Sequence, residues 1–199
     1  MRLGILGGTF DPLHRGHLAL AWAARDELDL DRVLFMPAGQ PWRKADRQIS
    51  SAEDRLAMLG RALEGEETFE IATLELEREG PSYAADTLEA LRGDRPNDEL
   101  FFILGEDALV DLPNWVRPGR ILELAVLAVA RRAGVERRAV EEAARRLPGL
   151  LDRAGWLKMP LVGVRGTEIR DRVRRGLPIG DLMPRVVEAY IREHRLYAA

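Results

Sequence analysis

The chain contains no cysteine, so disulfides, thiol nucleophiles and thiolate metal sites are all excluded. It also has no marked excess of one charge. The 30 basic and 33 acidic side chains leave a net charge of −3, and no global basic field points to nucleic acid. Long apolar runs are missing. The most apolar stretch, Ile121 to Ala130, is broken by Glu123 and is far too short to span a bilayer. The opening MRLGILGG lacks the apolar core and cleavage site of a signal peptide. No long polar linker, internal repeat or low-complexity segment divides the sequence. Two common nucleotide signatures are absent as well. Gly4, Gly7 and Gly8 do not have the G-x-G-x-x-G spacing, and no Walker lysine follows them. These absences lead to the expectation of a cytoplasmic enzyme or binding protein with neither a membrane nor a nucleic-acid partner.

What is present is a chain of 199 residues, 46% hydrophobic and 32% charged. That length suits one domain with a substantial core. Strands are expected at Leu3 to Leu6, Val33 to Met36, Phe69 to Leu74, Leu100 to Leu104, Ala125 to Ala130 and Pro160 to Val164. Helices are expected at His17 to Leu28, Ala52 to Leu63 with Ser51 as N-cap, Ala84 to Leu91, and Glu136 to Leu147 as a solvated surface helix. Two more are expected at the end, one capped by Thr167 and running to about Arg175, the other opened by Pro184 and running to about His194. Alternation of the two element types from the first residue implies an α/β fold, a Rossmann-like open and mainly parallel sheet with helices on both faces. Residues 1–199 then form one domain, with the helical part from about 167 packed on it. Ligands of such sheets sit at the C-terminal strand ends. The glycine-rich and polar segments here follow strands and would converge on one edge.

Residues 7–17, GGTFDPLHRGH, carry the densest chemical signal. Glycines after a strand let backbone approach a phosphate, and the helix beginning near Gly16 points free N–H groups at an anion. His14 and His17, two of only three histidines, lie three residues apart and can aim at one point. Imidazoles there can donate hydrogen bonds to phosphoryl oxygens as charge builds up in transfer. A metal reading needs a third ligand such as Asp11 or Asp107. The plain structural reading is a strand–turn–helix with satisfied histidines.

GGTFDPLHRGH resembles the signature of the H-x-G-H nucleotidylyltransferase superfamily. Four further segments are similar to the bacterial nicotinate-nucleotide adenylyltransferase family: PAGQPWRK at 37–44, ELEREGPSYAADTL at 75–88, FFILGEDAL at 101–109 followed by Trp115, and GTEIRDRVRRG at 166–176. The ending PRVVEAYIREHRLY also fits. Segment 75–88 selects the family. Three departures stand out: Trp42-Arg43 where the family has Pro-His, Arg165-Gly166 where it has Ser-Ser, and Ala84 where it has threonine.

The resemblance implies transfer of AMP from ATP to nicotinate mononucleotide, giving nicotinate adenine dinucleotide and pyrophosphate in NAD biosynthesis. It implies catalysis by His14, His17 and Lys44, with Arg43 as a helper. It implies an ATP site at Gly7, Gly8, Thr9, Phe10, His17, Gly105, Asp107, Arg132, Thr167, Glu168 and Arg170, with Arg165 offering charge for the lost hydroxyls. The mononucleotide site would comprise Thr9, Lys44, Tyr83, Ala84, Ala85, Thr87, Trp115 and Val116, with Ser82 capping the helix at Tyr83. Mg²⁺ would arrive with ATP and need no dedicated protein site; a homo-oligomer is allowed. Plain structural accounts stand beside these roles: a solvated loop lysine for Lys44, an N-cap for Asp107 and Thr167, an Asx-turn for Asp11, a core anchor for Trp115. Phosphopantetheine adenylyltransferases usually lack a histidine at position 14 and lack segment 75–88. Cytidylyltransferases lack that segment and use CTP. A non-catalytic nucleotide sensor on the same fold would be expected to lose His14, His17 or the Thr167 helix, and all are kept.

Overall fold

A computed structural model describes residues 1–40, 49–159 and 163–198. Six strands form its sheet: β1 (Arg2–Gly8), β2 (Arg32–Pro37), β3 (Phe69–Ile71), β4 (Glu99–Gly105), β5 (Val126–Ala130) and β6 (Ala154–Leu157). Their order is β3-β2-β1-β4-β5-β6 and every neighbouring pair is parallel. This is the doubly wound Rossmann order, with its switch point between β1 and β4. Runs such as Leu3–Leu6, Val33–Met36 and Leu100–Leu104 are apolar except for Gly4 because both faces of a parallel sheet are covered.

The helices are α1 (Arg15–Glu27), α2 (Ala52–Leu63), α3 (Leu74–Glu77), α4 (Ala84–Asp94), α5 (Glu106–Asp111), α6 (Pro118–Leu124), α7 (Arg137–Arg146), α8 (Gly166–Arg174) and α9 (Arg185–Glu193). One core layer joins Leu3, Ile5, Met36 and Leu104 to Leu88 of α4, Leu109 of α5, Ile121 of α6 and Val140 of α7. The other joins Leu6, Val33 and Ile103 to Ala21 of α1, Met58 of α2, Ile169 of α8 and Val187 of α9. Residues 3, 5 and 6 divide between the layers as the two-residue strand period requires. α7 buries only Val140 and Ala143 and is otherwise the expected surface helix. Among the described residues no helix is long and apolar enough to cross a membrane.

Several boundaries differ from expectation. The strand at Phe69 stops at Ile71, and Leu74 opens the short α3 instead. The last strand is Ala154–Leu157; Gly163 and Val164 belong to no strand, and 160–162 lie outside the described residues. The run AGWL carries a glycine and only one fully buried residue, so it shows little strand pattern; pairing with β5 makes it a strand. Thr167 is not an N-cap: α8 begins at Gly166 and Arg165 occupies the cap position. Ser51 caps α2 as expected, its hydroxyl accepting the Asp54 N–H at 3.0 Å.

Candidate active site

The carboxyl ends of β1, β4 and β5 and the start of α8 enclose a cleft of about 560 Å³, a size that suits a small-molecule ligand. Gly7, Gly8, Thr9, His14 and His17 form its floor on the β1 side. Gly105, Asp107, Arg131 and Arg132 come from the β4 and β5 ends. Arg165, Gly166, Thr167 and Arg170 come from α8, and Trp115 lines the cleft from the loop after α5. β1 itself runs through Gly7-Gly8, so the close-approach glycines are its last two residues.

His14 has extended backbone and takes the N-cap position of α1. Its N–H donates to Nδ1 of His17 at 3.3 Å, which leaves the His17 proton on Nε2. The two rings stack with centroids 3.7 Å apart. Phe10 is fully buried and meets the His17 ring edge-on at 5.0 Å. It therefore supports the histidine from beneath the cleft and does not line it. Burial, and secondarily the charge of Arg132, holds the His14 pKa down at about 4. A neutral imidazole keeps one N–H to donate and one nitrogen to accept. Among the described residues its buried Nδ1 has no hydrogen-bond partner.

Asp107 sits inside the first turn of α5, and Gly105 is that helix's N-cap. The carboxylate instead accepts from Nη1 of Arg132 at 3.0 and 3.1 Å. Buried Glu106 accepts the Arg132 N–H at 2.9 Å. Arg170 folds back across the start of α8, donating to the Asp11 carbonyl at 2.5 Å and lying 3.8 Å from its carboxylate. Gly166 permits this approach, since a Cβ there would stand 3.1 Å from the Asp11 carbonyl oxygen. Arg165 is exposed at the cleft rim. Glu168 is also exposed and pairs with Arg172 at 2.8 Å without lining the cleft.

Two positioning groups escaped the sequence reading. Arg55 is 3% exposed. It donates to the carbonyls of Thr9 at 3.1 Å, Ala38 at 2.8 Å and Ser50 at 3.2 Å, so it ties the loops after β1 and β2 to α2. Its position one turn from Met58 and Leu59 on the apolar stripe was the available signal, since an unpaired arginine does not belong there. Tyr197 donates to the Asp11 carboxylate at 2.6 Å. Burial and that carboxylate push the phenol far above its ordinary pKa. Asp11 is thus 4% exposed and held from the far end of the chain, which accounts for it more fully than an Asx-turn.

Of the residues expected at the mononucleotide, Thr9 and Trp115 line the cleft, whereas Tyr83, Ala84, Ala85 and Thr87 belong to the start of α4 and do not line it. Tyr83 is the N-cap of α4, and Ala84 and Ala85 fill its first turn. Ser82 does not cap this helix. Its hydroxyl accepts the Gly39 N–H at 3.0 Å while its own N–H donates to the Gln40 carbonyl at 2.9 Å. Gly39 is required there, because a Cβ would fall 2.1 Å from the Glu75 carbonyl oxygen. Ala85 is fully buried. Thr87 is 2% exposed, its hydroxyl donating to Glu75 at 2.7 Å and accepting from Arg78 at 2.8 Å. Burial raises the Glu75 pKa against the hydrogen bonds of Thr87 and Ser82 and the charge of Arg78. Trp115 is half-buried, stands edge-on to Phe102 at 6.2 Å, and donates Nε1–H to Asp111 at 3.0 Å; half-buried Val116 follows it. Trp42, Arg43 and Lys44 lie outside the described residues. The cleft therefore brings together Gly7, Gly8, Thr9, His14, His17, Gly105, Asp107, Arg132, Thr167 and Arg170, while Phe10, Glu168, Tyr83, Ala84, Ala85, Thr87 and Val116 do not line it.

The cytidylyltransferase-like family profile matches residues 5–172. A probable nicotinate-nucleotide adenylyltransferase of Thermomicrobium roseum is 47% identical over 98% of this chain and 91% of its own length. One of Dehalococcoides mccartyi is 43% identical over 99% of this chain and 97% of its own length. Among solved structures, the Plasmodium falciparum nicotinic acid mononucleotide adenylyltransferase complexed with NaAD superposes with a TM-score of 0.79. It is 16% identical in sequence, with 98% of this chain and 97% of that chain covered. This last likeness is one of fold.

Proposed function

Given that the chain belongs to the cytidylyltransferase-like family and, within it, to the nicotinate-nucleotide adenylyltransferases, we propose that it joins the AMP of ATP to nicotinate mononucleotide. The products are nicotinate adenine dinucleotide and pyrophosphate, and the step belongs to NAD biosynthesis. The observation that carries this reading at the level of chemistry is the stacked His14–His17 pair. It stands over a glycine strand end, in a cleft whose other wall presents Arg131, Arg132, Arg165 and Arg170. Such a donor set suits a polyphosphate.

The 5′-phosphate oxygen of the mononucleotide attacks the α-phosphorus. The bond from the α-phosphorus to its bridging oxygen breaks, and pyrophosphate leaves with the electron pair. A phosphate monoester needs no strong base to activate it, so the protein's work is alignment and stabilisation of charge. In this reading Gly7, Gly8 and Thr9 shape the backbone beside the α-phosphoryl group, and His14 and His17 donate to its oxygens. Gly105 and Asp107 receive the ribose, and Arg132, Thr167 and Arg170 receive the β,γ-phosphates. Phe10 and Glu168 act from behind these groups. Lys44 adds charge at the phosphates. Tyr83, Ala84, Ala85, Thr87, Trp115 and Val116 form the pyridine flank.

The described residues include no group of three or more side chains suited to hold a metal, and in the cleft the arginines and histidines outnumber the two carboxylates, Asp11 and Asp107. Magnesium fits as an ion carried by the nucleotide's own phosphates and water, where it offsets their charge. The whole chain acts as one domain in the cytoplasm.

The test is pyrophosphate release from ATP with nicotinate mononucleotide, nicotinamide mononucleotide or phosphopantetheine as acceptor. Release with the pyridine acceptors is expected, and His17→Ala should lower turnover by about 10²–10³. No release with either pyridine acceptor would overturn the reading.

A further inference from the structure

The first turn of α4 carries an acid at a place that ought to repel its proposed ligand. Ala84, Ala85 and Asp86 are the first three residues of the helix. Their N–H groups, free of intrahelical partners, suit a carboxylate, yet the Asp86 side chain adds a negative charge within the same turn.

Two guanidiniums from separate segments meet that acid. Arg117 forms a hydrogen-bonded ion pair with Asp86 and another with Glu89 at 2.8 Å. Its backbone holds a φ of 51° at the cap of α6, a left-handed conformation that costs free energy for a non-glycine residue. Arg78 points Nη1 at Asp86 from the other side, 3.7 Å from the carboxylate. Among the described residues that buried nitrogen has no hydrogen-bond partner, while Nη2 is committed to Thr87. Glu89 lies one turn further along α4 and is shared with Arg120 at 2.8 Å, which in turn holds Glu123. Buried Glu75 faces Arg78 through Thr87. The acid nearest the helix N-terminus thus receives two arginines, Arg117 and Arg78, as Glu89 one turn on receives Arg117 and Arg120.

We propose that Arg78 and Arg117 are specificity-determining residues: by neutralising Asp86 they let the start of α4 favour an anionic pyridine substituent over a neutral carboxamide. This rests on the nicotinate reading above. An ordinary structural clamp would affect both mononucleotides equally, because both share ribose, phosphate and ring. An electrostatic selector acts only on the acid.

The experiment measures kcat/KM of the full chain for nicotinate and for nicotinamide mononucleotide at saturating ATP. Arg117→Gln and Arg78→Gln should each lower the nicotinate-to-nicotinamide ratio by about fivefold, chiefly through the KM of the nicotinate form. Asp86→Asn removes the opposite charge and should raise the ratio by a similar factor. In the unmodified protein the ratio should also fall as salt rises from about 0.05 to about 0.5 M, since these groups are partly exposed and screened. The salt series needs no folded variant. Ratios that stay flat through the substitutions and the salt series, or that move the same way for Arg117→Gln and Asp86→Asn, would overturn the inference. They would leave adenylyl transfer to nicotinate mononucleotide standing. Failure of the unmodified protein to use nicotinate mononucleotide at all is the separate outcome that removes the reading beneath it.

Discussion

At the scale of single residues, His14 shows how burial selects a protonation state. Its pKa of about 4 in the folded chain compares with 6.5 in an exposed histidine. Between those values the unfolded chain binds a proton that the folded chain refuses. Stability is therefore highest above pH 6.5 and declines as pH falls through 6.5 toward 4. The loss attributable to this residue is on the order of 2–3 kcal/mol. Thermal melts of the unmodified chain and of His14→Asn across that range should show a shallower decline in the variant. Parallel curves would mean that His14 is not buried neutral. The sequence displayed the His14–His17 spacing openly. It did not display the depressed pKa, which comes from burial in the folded chain and from Arg132, 118 positions away in sequence.

At the scale of elements, α8 was legible as a helix but not in its first residue. Threonine before a charged helical run reads as a cap, yet the cap falls two residues earlier, at Arg165, and the helix opens at Gly166, which fits closely against the Asp11 carbonyl. The consequence for mutation is specific. Thr167 is exposed and caps nothing, so Thr167→Ala should change stability by less than about 0.5 kcal/mol. Because it stands in the cleft wall, the same change should weaken ATP more than the mononucleotide. Urea midpoints and the two KM values together check both halves. β6 was missed for a related reason. Its four residues carry little pattern of their own, and the edge of β5 recruits them. Strands with long apolar runs, and α2 with its serine cap, were legible because local chemistry and burial agree there.

At the scale of the whole molecule, the cleft draws on residues from Leu6 to Arg170, and the end of the chain closes on its beginning. Tyr197→Phe removes only a hydroxyl, but it leaves a buried carboxylate short of a donor. We expect a loss of about 1.5–3 kcal/mol, read as a lower urea midpoint, with reduced turnover because Asp11 also receives Arg170. An unchanged midpoint would show that the contact contributes nothing. The residues proposed to handle phosphate were readable because their motifs sit close after strands. The residues proposed for the pyridine were identified only by resemblance. The buried Glu75, Thr87 and Arg78 cluster has no local signature, since these residues come together through tertiary folding.

The strand order also has a meaning along the chain. β1 precedes the other five strands of the sheet in sequence, yet it ends in the middle of the sheet, with β2 on one side and β4 on the other. Its neighbour on one side comes early in the sequence, and the one on the other side begins only at residue 99. Arg132, Thr167 and Arg170 come later still. The glycine-rich strand end and the paired histidines therefore precede the rest of the cleft in sequence, and the cleft is complete only once residues from β4, β5 and α8 have joined it.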